Sequence, residues 1–315
     1  MKTLLTTVTL ICFCSALLAQ NKLYQSPEDP SFITSDIKNF WKAFDEAKDK
    51  DKEEQLRIYQ EVYIAQASKG FKSWLEKRNK SVEELVNGIN QMLPFYESIR
   101  QNTLIINQFE KEVRAGFYAL EYLYPEASFP NVYFFIWYFF QSGSTTTDIG
   151  LMITAETQSV APNTPLDAIP SIHREMVKSM NLSRMPGLVV HESIHEQQDY
   201  KVKNLLDKAI KEGTCDFIAE LCTGQNPSKA VHDYANTKEK ELWIEFKEKM
   251  YTNDYTGWTG IPQDRPAGLA YWMGYKIVED YYNKQPNKKK AIEAIIKAKS
   301  YQKIFDASGY ADKFE

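Results

Sequence analysis

The chain has 315 residues, with 38 Lys and Arg against 42 Asp and Glu and a net charge of −4 at pH 7. Charges of both signs are interspersed along it, which excludes a nucleic-acid surface and a basic membrane patch. A chain of this length can bury a large core in one or two domains.

Residues 1–19, MKTLLTTVTLICFCSALLA, are predicted to be a secretory signal peptide. They carry one lysine, an apolar centre and small residues at the end. The segment is too short and wrongly flanked for a membrane-spanning helix, and no other apolar run is long enough to span a bilayer. We expect cleavage after Ala19 and export to the periplasm or the extracellular space. The alternative is a lipid anchor at Cys14, although Phe13 is a poor residue before a lipidated cysteine.

Residues 20–125 are predicted to form an N-terminal helical lobe. Ser35 and Asp36 begin a segment in which Ile37, Phe40 and Phe44 recur at three- and four-residue spacing, the pattern of one buried helix face. Aromatic residues are frequent on these faces. We interpret them as core packing, with a substrate groove as the alternative.

Two strand patterns follow this lobe. Residues 132–140, VYFFIWYFF, form a β-branched and aromatic run typical of a buried strand. Residues 141–147 resemble a polar loop, and residues 148–156, DIGLMITAE, a second strand. We expect a predominantly helical α+β protein with a small antiparallel sheet. Its core, residues 126–224, would lie between the N-terminal lobe and a C-terminal helical lobe at 225–315, all in one compact unit.

The most specific signal in the chain is His191-Glu192-Ser193-Ile194-His195, an H-E-x-x-H motif. Residues four apart share one helix face, so the two imidazoles can bind the same ion. Glu192 can direct its carboxylate at a water on that ion. The apolar run at 188–190 is typical of a buried helix. The alternative is an exposed helix with solvated histidines.

A second helical pattern supplies acidic partners. Glu212 and Asp216 are four apart and share a face. Glu212 is predicted to be the third metal ligand, and Asp216 to accept the free N–H of one histidine. Three protein ligands and a water form a catalytic zinc site, whereas four protein ligands form a structural one. Glu220 is the competing acid on this helix, and Cys215 is an alternative soft ligand.

H-E-x-x-H followed by E-x-x-x-D resembles the thermolysin-type zinc peptidases, or gluzincins. Further segments resemble a narrower family of predicted secreted zinc-dependent proteases that is related to gliding-motility lipoproteins. These segments are FPNVYFFIW (129–137), GSTTTDIGLMITAE (143–156), VVHESIHEQQ (189–198), EGTCDFIAEL (212–221) and RPAGLAYWMGYKI (265–277). The resemblance implies a zincin-like core with a sheet edge beside the metal helix, whose backbone pairs with an extended substrate. Residues 149–155 are expected to be that edge.

The motif and the resemblance together predict a secreted zinc-dependent peptidase. Zn²⁺ held by His191, His195 and Glu212 would lower the pKa of its water, and Glu192 would act as general base. Thermolysin-like enzymes add a Tyr and a His downstream that stabilise the developing oxyanion. The candidates here are Tyr271, Tyr275, His232 and Arg265, of which Tyr275 is favoured.

Two other classes of function stay open. One is a non-catalytic secreted or envelope protein, for binding or assembly, that retains a zinc site. The other is a zinc hydrolase that acts on a non-peptide amide. The expected partner of the peptidase is a peptide or protein substrate; the sequence specifies neither the cleavage preference nor the oligomeric state.

Overall fold

The computed structural model describes residues 23–138, 144–147, 149–178, 180–260 and 265–314. The predicted signal peptide and Cys14 lie outside these residues. None of the helices in the described segments has both the length and the apolar character that crossing a bilayer requires.

Helices make up most of the described chain, which confirms the predicted helical character. The N-terminal helices are α1 (Ser35–Ala47), α2 (Lys52–Ile58), α3 (Lys69–Lys77), α4 (Val82–Gln91), α5 (Leu93–Leu104) and α6 (Glu110–Leu123), with a π-helix at Tyr59–Ile64. The central helices are α7 (Ala155–Gln158), α8 (Ser171–Lys178), α9 (Met185–His195) and α10 (Leu205–Thr223). The C-terminal helices are α11 (Lys229–Ala235), α12 (Glu239–Lys249), α13 (Leu269–Lys284), α14 (Lys288–Ile296) and α15 (Tyr301–Ser308).

The described strands form one small sheet. They are β1 (Phe32–Ile33), β2 (Val132–Phe135), β3 (Ser144–Thr147) and β4 (Gly150–Thr154), in the order β1-β2-β4-β3. Strands β1, β2 and β4 are parallel, and β3 is antiparallel to β4. The predicted antiparallel sheet is therefore wrong for three of the four strands. The physical reason is burial: every residue of β2 and β4 is buried, as expected for parallel strands covered on both faces.

The predicted edge of the sheet is also corrected. Residues 149–155 were expected at the edge, but β4 lies between β2 and β3. The described sheet has β1 at one edge and β3 at the other, and β3 lies within a stretch that the sequence predicted to be a loop. Polar residues fill β3, because an edge strand does not need the continuous apolar run of a buried strand.

A single cluster of buried side chains extends from Ile37 in α1 to Tyr310 after α15. Most aromatic residues of the N-terminal helices belong to it, as the core-packing interpretation predicted, whereas Tyr118 and Tyr122 of α6 are exposed. Phe71 of α3, for example, stacks on Phe135 of β2 with ring centroids 4.5 Å apart. Helices α1 and α3 thus pack against the sheet.

Three helices build the centre of the molecule. Helix α9 contacts β3, β4, α6 and α10, while α10 packs along α13. Two glycines set the approach of α10 and α13. A Cβ on Gly274 would lie 1.7 Å from the Ala209 carbonyl oxygen, and one on Gly213 would lie 2.1 Å from the Gly274 carbonyl carbon. Such contacts are possible only for glycine, so the backbones of the two helices touch.

Candidate metal centre

Helix α9 places both histidines of the H-E-x-x-H motif at its C-terminal end. Pro186 lies in its first turn, where a missing N–H costs nothing, and Val189 and Val190 are fully buried. His191 and His195 project from the same face, with ring centroids 4.9 Å apart. The sequence predicted this arrangement from the four-residue spacing.

Glu212 of α10 meets this pair. Its Oε2 atom lies 3.1 Å from His195 Nε2 and 3.5 Å from His191 Nε2. Two ligands of a tetrahedral zinc ion, each bound at its usual distance, are about 3.3 Å apart. The structure therefore brings Glu212 Oε2 to about this separation from one nitrogen of each predicted histidine ligand.

Asp216 binds the His191 nitrogen that faces away from Glu212. His191 Nδ1 donates to Asp216 Oδ1 at 2.7 Å, and the Ser228 hydroxyl donates to Asp216 Oδ2 at 2.6 Å. Because a carboxylate accepts, the proton of the imidazole lies on Nδ1, and the Nε2 lone pair points towards Glu212. This is the position that the sequence predicted for Asp216.

His195 has an equivalent partner in Gln198, which sequence reasoning missed. His195 Nδ1 donates to Gln198 Oε1 at 2.9 Å, while Gln198 Nε2 donates to the Lys211 carbonyl oxygen at 3.1 Å. That carbonyl can only accept, which fixes the orientation of the amide and hence the tautomer of the histidine. The signal available in the sequence was the three-residue spacing from His195 to Gln198.

Lys208 was missed as well. Its Nζ donates to Glu212 Oε1 at 2.7 Å, so the two oxygens of this carboxylate have different partners. Lys208 and Glu212 are four apart on α10, a spacing at which opposite charges pair. That spacing was visible in the sequence.

Three acceptor atoms thus converge on one point. Both Nδ1 protons are committed to Asp216 and Gln198, which leaves two Nε2 lone pairs facing Glu212 Oε2. Burial disfavours the charged forms of these groups, but the pKa of His191 is raised well above its usual value by Asp216 and Glu212. Burial likewise opposes ionisation of Glu212, yet hydrogen bonds to both histidines hold its pKa well below the ordinary range. The cluster therefore favours a positive charge between the imidazoles and Glu212, which a proton on His191 can supply.

Cys215 also lies near the cluster. One ligand atom each from His191, His195 and Cys215 can be chosen within 4.8 Å of one another. However, the thiol lies 3.4 Å from His195 Nδ1, the nitrogen that is already committed to Gln198. Burial raises the pKa of this thiol well above its usual value, and only a thiolate binds metal strongly. The geometry therefore favours Glu212 over Cys215 as third ligand.

Glu192 lies half-buried beside the ligands. Its charge contributes to the raised pKa of both His191 and Tyr271, which places its carboxylate near the cluster. The Tyr271 ring stacks on the His191 imidazole with centroids 6.1 Å apart and an interplanar angle of 11°. Burial, followed by the negative charges of Glu212, Asp216 and Glu192, raises the pKa of Tyr271 well above its usual value.

The other side chains that the sequence suggested for oxyanion stabilisation have different neighbours from those of Tyr271. Tyr275, favoured from the sequence, packs edge-on against Phe217 and His232. His232 also lies 3.2 Å from Asn226 Nδ2 through its Nε2, and burial lowers its pKa. Among the tyrosines, the structure places Tyr271 against the ligands, one helical turn before Tyr275.

Arg265 forms an ion pair away from these groups. Its guanidinium donates to both carboxylate oxygens of Glu245, at 2.8 and 2.7 Å, and lies over the Trp258 ring. These contacts account for its charge within the C-terminal helices. The site therefore brings together Glu192 and Tyr271 with the ligands, and holds Arg265 in another network.

The fold and the site define a mainly helical protein with a buried cluster of two histidines and two carboxylates. A sequence model described as "Gliding motility protein GldB" matches residues 23–312, nearly the whole chain. The chain belongs to this family. Comparison with curated proteins and with solved structures found no match. The predicted relation to gliding-motility proteins is confirmed, whereas the resemblance to thermolysin-type peptidases and the zincin-like core stay predictions.

Proposed function

We propose that this protein acts in the cell envelope as a gliding-motility protein and binds one zinc ion through His191, His195 and Glu212. The zinc proposal rests on the position of Glu212 Oε2, which lies 3.1 Å from His195 Nε2 and 3.5 Å from His191 Nε2. Two imidazoles and one carboxylate suit zinc, and hydrogen-bonded partners behind the histidines are usual for zinc ligands.

Family membership supports the envelope location. The matched model describes gliding-motility lipoproteins, which favours a lipid anchor at Cys14 over release after cleavage at Ala19. Both residues lie outside the described part of the chain. An anchored protein would present the helical body described here at a membrane surface.

Hydrolysis of a peptide bond is the activity that the side chains favour. A zinc ion supplies a Lewis acid and lowers the pKa of a water when it is bound. Glu192 would take a proton from the attacking water and deliver it to the leaving amine. Tyr271, whose ring stacks on the His191 imidazole, replaces Tyr275 as the proposed donor to the developing oxyanion.

The edge strand β3 supports a peptide as substrate. It pairs with β4 on one side only in the described sheet, and it contacts the metal helix α9. An extended peptide can add to such an edge through backbone hydrogen bonds, whatever its side chains. A peptide on β3 would lie beside the end of the sheet that α9 covers.

A non-catalytic role in assembly or binding is the second candidate. The family match favours it, because the description names motility and no reaction. The same zinc ion would then stabilise the contact between α9 and α10. Glu192 beside the ligands favours the hydrolytic candidate instead.

Metal content tests the zinc proposal. Elemental analysis of the purified protein should give one zinc per chain, and His195→Ala should lose it. A folded wild-type chain that neither contains zinc nor takes up added zinc would rule out both candidates that depend on the metal.

Glu192→Gln separates the two candidates. The variant should keep zinc and lose cleavage of a peptide library, whereas Glu241→Gln makes the same change at an exposed site on α12 and should keep both. Zinc binding by the wild type without cleavage of peptides, together with a gliding defect on deletion, would support the non-catalytic role. Cleavage of small amides alone would indicate a non-peptide hydrolase.

A further inference from the structure

Lys208 reaches the metal cluster from one helical turn before Glu212. Its ammonium donates to Glu212 Oε1, whereas Oε2 of the same carboxylate faces both imidazoles. The side chain of Lys208 is 34% exposed and that of Glu212 only 6%. A partly solvated cation therefore contacts the one acidic ligand from outside the cluster.

We infer that Lys208 is a positioning residue that limits Glu212 to one ligand oxygen and weakens the binding of the metal. The inference rests on the zinc site proposed above. Because the ammonium occupies Oε1, only Oε2 is available to an ion. The ammonium also shares the negative charge of the carboxylate and repels a second cation on it.

Removal of Lys208 would have two opposite effects. It would end the repulsion, which strengthens metal binding, and it would release one restraint on Glu212, which weakens binding. The released restraint is the smaller effect, because Glu212 is held in two further ways. Its Oε2 contacts both histidines, and the next residue, Gly213, is locked against Gly274 of α13. Loss of the Lys208 charge should therefore tighten the site.

The ammonium also affects the chemistry of a bound metal. A carboxylate that shares its charge with Lys208 would donate less electron density to a bound zinc ion. The ion would then be a stronger Lewis acid towards its other ligands. Lys208 would thus lower the affinity of the site for zinc and raise the Lewis acidity of the bound ion.

Zinc titration of the full chain against a chromophoric chelator tests this inference. Lys208→Met should lower the Kd for zinc by about tenfold, because it removes a positive charge close to the bound cation. Lys208→Arg keeps the charge and should stay near the wild-type Kd. Lys42→Met removes a lysine from an exposed pair of the same four-residue spacing, with Glu46, and should have no effect. Urea unfolding checks that each variant is folded, and Lys208→Gln replaces Lys208→Met if the latter is not.

The outcomes separate this inference from the zinc proposal. If the wild type binds zinc and Lys208→Met binds it equally or more weakly, the inference is wrong and the zinc site stands. Binding to Lys208→Met but not to the wild type would support the inference and reject a zinc-loaded wild-type protein. No binding to either protein would reject both.

Discussion

At the proposed metal site, both carboxylates on α10 are held by hydrogen bonds from neighbouring side chains. Asp216 accepts from His191 and Ser228, and Glu212 accepts from Lys208 while it faces both imidazoles. Three of these residues, at positions 208, 212 and 216, form one stripe on α10. Asp216 thus orients the proposed ligand His191, and Lys208 orients the proposed ligand Glu212.

Asp216→Asn tests the support behind His191. The amide can keep a hydrogen bond with the imidazole, but it loses the negative charge that makes the ligand more basic. We expect zinc affinity to fall about 10- to 100-fold, measured by chelator competition. Asp233→Asn, in an exposed pair with Lys229, is the matched control. Equal affinities for both variants would show that Asp216 has only a structural role.

Glu156 gives a prediction about pH. It is fully buried, its Oε1 has no hydrogen-bond partner, and burial raises its pKa to about 8. The folded protein then keeps a proton that the unfolded chain releases near pH 4.5, the ordinary pKa of this side chain. The stability that this proton supplies is complete below that value and is lost as the pH rises to about 8. The slope is about −1 kcal/mol per pH unit.

Urea unfolding from pH 5 to 8 measures this effect. Glu156→Gln removes the titrating group and keeps its shape, so the free energy of unfolding of the wild type should fall relative to the variant as the pH rises. His191 also titrates, but it is present in both proteins and cancels in the difference. Parallel curves would show that Glu156 is ionised throughout.

At the scale of elements, the contact between α10 and α13 decides which groups face the ligands. The contact is closest at Gly213 and Gly274, next to Glu212 on one helix and between Tyr271 and Tyr275 on the other. A change in the spacing of these helices would move Tyr271 relative to His191. The glycines thus connect helix packing to the site.

Gly274→Ala should separate the two helices. Alanine favours a helix over glycine by about 1 kcal/mol, but here its Cβ would overlap the Ala209 carbonyl oxygen. We expect a net loss of about 1–3 kcal/mol in the free energy of unfolding and weaker zinc binding. Asn283→Ala, at an exposed position of the same helix, should change neither. A stabilised Gly274→Ala variant would mean that the helices can separate without strain.

At the scale of the whole molecule, one hydrophobic core connects the N-terminal helices, the sheet and the C-terminal helices. Helices α9 and α10, which carry the proposed ligands, both contribute fully buried residues to it. A metal ion between them, as proposed, would bind the folded chain and not the unfolded one. It should therefore stabilise the protein as a whole.

Chelation of zinc should lower the thermal midpoint of the wild type. At a free zinc concentration one hundred times the Kd, the stabilisation is about 3 kcal/mol. His195→Ala should melt at the same temperature with and without chelator, as followed by circular dichroism. A midpoint of the wild type that is insensitive to the chelator would indicate that the cluster holds a proton and not a metal ion.

The sequence by itself determined the local features of this protein. The four-residue spacings of His191 with His195 and of Glu212 with Asp216 set which side chains share a helix face, because helix geometry is the same in any fold. Apolar patterns over a few neighbouring residues likewise predicted the helical character and the buried strands. Family segments over nearly the whole chain indicated the gliding-motility relation, which the match to residues 23–312 confirms.

Only the tertiary structure decided the features that depend on neighbours distant in sequence. It made β3 the edge strand in place of residues 149–155, because the chain path inserts β4 beside β2. It placed Tyr271 on His191 and Tyr275 against His232, although both lie on α13, because the glycine contact fixes how that helix faces α10. Local spacing determines which residues share a face, and the packing of the whole chain determines what that face meets.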